Sequence, residues 1–163
     1  MGAHLLRTSC AAAIILFSFA GCMQRIVQPL RFNHNKHIEN GVECGDCHQH
    51  FRDEEYSGLP ATEVCMDCHE DDESQDPNIK ILLDYAERGE NVPWQRVYDV
   101  APHVFYSHRR HVRVAGLTCG GCHGDIASLT APPERPLVNQ TMNWCLGCHV
   151  ERGATTDCIH CHR

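Results

Sequence analysis

Aromatic side chains are scarce in this chain: five Phe, four Tyr and two Trp in 163 residues. A core assembled from so few large side chains is thin for a length that gives one domain or two very small ones. Something else has to supply buried apolar surface. Lysine is scarcer still, with Lys36 and Lys80 alone, and 14 basic residues against 21 acidic ones leave a net charge of −7. That balance excludes a nucleic-acid partner, which needs a basic face. The apolar run Cys10 to Ala20 falls short of the roughly 20 residues that span a bilayer comfortably. Its setting is that of an export signal, with Arg7 before it and "FAGC", Phe19 to Cys22, after it. Small residues just ahead of a cysteine resemble the lipobox of bacterial lipoproteins. That resemblance implies lipidation at Cys22 and a signal peptide of residues 1–21. The alternative is an uncleaved anchor helix reaching to about Val27. Both place the rest of the chain outside the cytoplasmic membrane.

Cysteine left over for disulfides is also lacking, because ten of the twelve cysteines belong to five copies of one pentad. These are "CGDCH" at Cys44, Cys47 and His48, "CMDCH" at Cys65, Cys68 and His69, and "CGGCH" at Cys119, Cys122 and His123. "CLGCH" follows at Cys145, Cys148 and His149, and "CIHCH" at Cys158, Cys161 and His162. In Cys-x-x-Cys-His two thiols add to the two vinyl groups of a haem, and the adjoining histidine ligates the iron beneath. Zinc ribbons use two Cys-x-x-Cys pairs per metal and do not require the following histidine. Redox Cys-x-x-Cys motifs do not require it either. An odd number of pairs, each with its histidine, therefore points to five covalently bound c-type haems. The proximal ligands are His48, His69, His123, His149 and His162. Five macrocycles also supply the apolar bulk that the side chains do not.

Seven histidines remain once the proximal five and His4 are set aside: His34, His37, His50, His103, His108, His111 and His160. "FNHNKH" precedes Cys44 and "YSHRRH" precedes Cys119, with Phe32 or Tyr106 two residues before the first histidine. The offset between the copies is 74 at both histidines, 75 at the first cysteine, and 80 at the second pentads, Cys65 and Cys145. This is an internal repeat. It divides the chain into a dihaem unit (22–75), a linker with a helix (76–105) and a trihaem unit (106–163). In the linker Asp76 is an N-cap, Pro77 a first helical residue and Gly89 a stop. Ile79, Leu82, Leu83 and Ala86 share one face of a helix of about three turns. "APPERP", Ala131 to Pro136, reads as irregular. "EDDESQD", Glu70 to Asp76, reads as a solvated loop, with a docking patch for a basic partner as the sharper alternative.

The F-x-H-x-x-H…C-x-x-C-H arrangement resembles the class III multihaem cytochromes c. The resemblance implies a mostly irregular fold with short α-helices and little or no β-structure, wrapped around the haems. It also implies distal ligands: His34 for the haem on His48, His37 for that on His69, His108 for that on His123, and His111 for that on His149. The fifth distal ligand stays open, with His103 ahead of Met142 and His50, and His160 placed too close to its own pentad. Beyond this, "ATEVCMDCH", "VPWQRVYDVAPHVFYSHRRHV", "CGGCHGD" and "MNWCLGCH" resemble the pentahaem cytochrome c subunit of alternative complex III, a quinol:electron-acceptor oxidoreductase. That likeness runs from about Gln28 onward. It implies an electron-transfer protein rather than an enzyme in its own right. The expected partners are quinol-oxidising or iron–sulfur subunits in the membrane and a periplasmic acceptor such as another cytochrome c. A lipid anchor would hold the chain at the periplasmic face, and no small-molecule substrate is expected. A free-standing lipoprotein shuttle or a unit of an extracellular wire is the alternative. A small multihaem reductase is the rival from another class, and it would need one iron with an open axial position.

Overall fold

The computed structural model describes residues 25–162. The export signal and Cys22 lie outside the described residues. Among the described residues the chain is mostly irregular, with seven short α-helices, one π-helical turn and one 3₁₀ turn. There is no strand among them, only an isolated bridge between Val104 and His162. No helix among them is long and apolar enough to cross a membrane. The expected fold class is therefore the observed one.

The helices are α1 (His34–Glu39), α2 (Cys44–Cys47), α3 (Thr62–His69), α4 (Pro77–Glu87), α5 (Cys119–His123), α6 (Met142–Glu151) and α7 (Cys158–Cys161). Local chemistry starts them. Asn33 accepts from the Lys36 N–H at 2.8 Å to open α1, and Thr141 caps α6 through the Trp144 N–H. Asp76 accepts from the Asn78 N–H at 2.8 Å ahead of Pro77, and Gly89 at φ +64° follows the end of α4. On α4, Leu82 is buried and Ile79, Leu83 and Ala86 are half-buried, while Lys80, Asp84 and Glu87 face solvent. That is the face the 3.6-residue period predicts.

The protein-only core is very small. Leu30, Leu82 and Val92 are the buried hydrophobic residues among those described, with Cys65, Met66, Tyr85 and Trp94 partly buried around them. The buried Thr62 hydroxyl fastens this corner, donating to the Glu90 carbonyl at 2.9 Å and accepting from the Val92 N–H at 3.0 Å. The two halves of the chain touch through polar links. Asn35 N–H donates to the Leu129 carbonyl at 3.0 Å, and Arg113 pairs with Asp53 at 2.8 Å. Between them lies a cavity of about 660 Å³, large beside the three-residue core.

Candidate haem-binding sites

Every pentad lies in a helical turn: α2, the end of α3, α5, the middle of α6, and α7. A helix puts residues i, i+3 and i+4 on one face. Both sulfurs and the histidine of each pentad are thereby turned the same way. The turn closes on itself, as the His48 N–H donates to the Cys44 carbonyl at 2.9 Å and the His162 N–H to that of Cys158 at 2.8 Å. All ten pentad cysteines are unpaired. Burial pushes the thiols of Cys47, Cys65, Cys119, Cys122 and Cys145 up from their ordinary range. Such thiols stay protonated, the opposite of an activated redox thiolate. Among the described residues no group of three or more His, Cys, Asp or Glu side chains is arranged to hold a metal ion. The five shifted thiols lack the activated character that the redox alternative requires.

The structure brings a second histidine to face four of the five pentad histidines. His37 and His69 stand 6.2 Å apart between ring centres, His108 and His123 6.2 Å, and His111 and His149 6.1 Å. His103 and His162 stand 5.4 Å apart, with planes 21° from parallel. His34 and His48 line the same cavity, and the charge of His48 helps lower His34. Two imidazoles bonded to opposite sides of one metal, at metal–nitrogen distances of about 2 Å, have ring centres about 6 Å apart. The other candidates for the fifth position stand elsewhere. His50 faces Glu54 at 3.5 Å, His160 faces Asp157 at 3.7 Å, and Met142 is 58% exposed at the start of α6.

The ring nitrogens are sorted in a way that suits ligation. Nδ1–H donates to a backbone carbonyl in His37 (Asn33, 2.8 Å), His48 (Gly58, 2.8 Å) and His108 (Glu55, 2.8 Å). It does so again in His111 (Ser107, 2.9 Å) and His149 (Thr155, 2.6 Å). In His69 it donates to the Asp72 carboxylate at 2.8 Å. Engaging Nδ1 as a donor leaves Nε2 as the basic nitrogen and fixes the ring's orientation, as metal-ligating histidines require. Burial, with the charges of His48 and His37, lowers His34 to about 4, and burial also lowers His108 and His123. These rings are neutral near pH 7, the form that binds a metal.

Aromatic rings brace both histidine pairs alike. Phe32 meets His34 edge-on at 4.8 Å and stacks on His37 at 4.4 Å. Tyr106 meets His108 edge-on at 4.9 Å and stacks on His111 at 4.6 Å. The sequence repeat is a structural repeat, although α1 is an α-helix and its counterpart Arg109–Val114 is π-helical. Such π-turns recur at functional sites.

Two buried nitrogens without partners, His34 Nδ1 and Trp94 Nε1, belong to residues lining the 660 Å³ cavity. Cys44, Cys47, Cys119 and Cys122 line it as well. A large apolar group with a polar rim, attached through those sulfurs, fits this donor set. Sequence reasoning missed three supports. Asp72 lies in the acidic run that reads as a solvated loop or a docking patch, and its spacing of three from His69 is a usable signal. Tyr98, whose hydroxyl donates to the His123 carbonyl at 3.0 Å and accepts from the Leu137 N–H at 2.8 Å, gave no sequence signal. Nor did the backbone carbonyls that hold the imidazoles.

Short helices carrying Cys-x-x-Cys-His turns, four of them faced by a histidine from another segment, define a multihaem c-type cytochrome. The chain belongs to the family of cytochrome c7 and related cytochrome c, whose family model matches residues 30–87 and 104–163. Covalently bound c-type haems are accordingly its cofactors. A relative from Nitratidesulfovibrio vulgaris (Hildenborough strain) is described as menaquinone reductase, multiheme cytochrome c subunit. It is 34% identical over 163 residues, an alignment covering 83% of this chain and 77% of the relative.

Proposed function

We propose that the chain carries electrons through five c-type haems and is the cytochrome subunit of a membrane complex that reacts with quinone. The sulfurs of each pentad would hold one haem, and each pentad histidine would ligate from one side. His34, His37, His108, His111 and His103 would ligate from the other, in the order of the pentads at His48, His69, His123, His149 and His162. The observation that supports this reading is the second histidine facing four of the pentad histidines, three of them at the 6.1–6.2 Å between ring centres that a shared metal asks for. When bound, the group supplies one-electron Fe(III)/Fe(II) chemistry. The residues do the rest. The paired imidazoles would ligate the group from both sides and leave no place for a substrate, and their Nδ1 partners hold the rings in a fixed orientation.

The quinone partner is supported by the printed description of the relative and by the likeness to the pentahaem subunit of alternative complex III. On the latter likeness, electrons run from a quinol-oxidising or iron–sulfur subunit to a periplasmic acceptor such as another cytochrome c. The relative's name favours the reverse direction, toward menaquinone. A location at the periplasmic face, a lipid anchor at Cys22, and a division into units at 22–75 and 106–163 complete the proposal. Affinity isolation from membranes solubilised in mild detergent tests it. Stoichiometric recovery with membrane-integral partners, and oxidation of its reduced haems by added menaquinone or their reduction by menaquinol, are expected. Recovery of the chain alone, inert toward both, would leave a free-standing lipoprotein shuttle.

A further inference from the structure

Along the sequence the pentads run His48, His69, His123, His149, His162. In space their order differs. His34 and His37 lie one turn apart on α1 under one ring, Phe32, so the His48 and His69 sites adjoin. The rings agree, with His37 facing His69 at 6.2 Å and His34 lining one cavity with His48. The same logic joins the His123 and His149 sites, through His108 and His111 under Tyr106. There the Gln140 side chain donates to the Cys122 carbonyl at 2.8 Å. The junction between these two pairs is not made by His69, the next in sequence, but by His48. Cys44, Cys119, His48 and His123 line one shared cavity. His108, which opposes His123, is tied by Nδ1 to the Glu55 carbonyl just beyond the first pentad. At the far end, the Phe105 N–H donates to the Cys161 carbonyl at 2.7 Å, and the next residue, Tyr106, stacks on His111, which faces His149.

We propose that the five sites form one unbranched series in the order His69, His48, His123, His149, His162. Resting on the reading that all five carry haem, this makes the His69 and His162 sites the two terminals. The step between the Cys44 and Cys119 sides is then one that every electron crossing the molecule takes. Each step moves one electron between neighbours, oxidising one site as it reduces the next, and makes or breaks no bond. Tunnelling falls off steeply with distance, so adjacency decides the route. A route in sequence order would instead pass from the His69 site directly to the His123 site.

The test uses the loaded, full-length protein and electron paramagnetic resonance. Replacing one distal histidine by methionine raises the potential of that site alone. Titrating with a chemical reductant then turns that site low-spin ferrous, which is diamagnetic, and its magnetic coupling to neighbours disappears. With His37→Met, only the His48 site's signal is expected to sharpen. With His34→Met, the signals of both the His69 and His123 sites are expected to sharpen, and with His103→Met only that of the His149 site. Sharpening of the His123 signal with His37→Met would overturn the order. If His34→Met does not load, His108→Met reads the same junction from the other side, with the His48 and His149 signals responding. A mass showing fewer than five haems would overturn the five-haem reading and the series with it. Five haems with other neighbours would overturn the order alone.

Discussion

The imidazole of His103 lies against that of His162, ring centres 5.4 Å apart. His103 belongs to no repeat, and its pairing depends on the segment 103–105 running beside the last pentad, where Val104 bridges His162. His103→Ala is expected to leave one site of the five without its second ligand. That site should turn high-spin or bind added imidazole, with the other four unchanged, as read by magnetic circular dichroism. A wholly low-spin spectrum after His103→Ala, with conversion after Met142→Ala instead, would reassign the ligand.

Phe32 touches both histidines of its pair, so its loss acts twice. Full burial would make Phe→Ala cost about 3–5 kcal/mol; for a half-buried ring the cost is about 2 kcal/mol. Thermal unfolding should fall accordingly in Phe32→Ala. The His48 and His69 sites should broaden in their resonance spectra while the His123 and His149 sites, braced by Tyr106, stay sharp.

Much of this is legible in the sequence alone. A pentad is a local device, since one helical turn is enough to align its three functional side chains, and the linker helix declares itself through Asp76, Pro77 and its apolar period. The histidine pairs were legible through repetition. What the sequence could not carry is long-range. His108 is held by the carbonyl of Glu55, and carbonyls have no residue signature. Asp72 was hidden by its neighbours, because a run of acids reads as solvent-facing, yet this one is turned onto His69 and its other oxygen accepts from the Ser74 N–H at 2.9 Å.

Asp72 distinguishes the His69 site from every other. A carboxylate on Nδ1 makes the imidazole a stronger donor than a carbonyl does, and this favours the oxidised metal. Asp72→Asn is expected to raise the potential of the His69 site and leave the other four in place. A redox titration followed by electron paramagnetic resonance reads this directly. An unchanged potential there would show that the carboxylate only orients the ring.

Tyr98 supports the His123 site from outside, with its ring edge-on to the imidazole at 4.4 Å. Tyr98→Phe keeps the ring and removes the hydroxyl, which bridges the His123 carbonyl and the Leu137 N–H. Leu137 is 45% exposed, so water can take over its N–H, and the expected loss is about 1 kcal/mol in chemical denaturation. Tyr98→Leu should cost more and perturb the His123 site spectroscopically, because the ring contact goes as well.

The thin core leads to a prediction about the chain without its cofactor. Leu30, Leu82 and Val92 are the buried hydrophobic side chains of residues 25–162. Three aliphatic side chains cannot offset the conformational entropy of ordering so long a segment. The cavity between the halves, lined by pentad cysteines and histidines, is where the missing apolar surface belongs. A chain produced in the cytoplasm, where c-type attachment does not occur, should therefore lack a cooperative thermal transition and exchange its backbone amides rapidly. The exception should be the corner where α3 and α4 meet around Thr62, whose hydroxyl is bonded on both sides. A sharp unfolding transition in the haem-free chain would show that protein contacts alone hold the fold and that the haems are passengers in it.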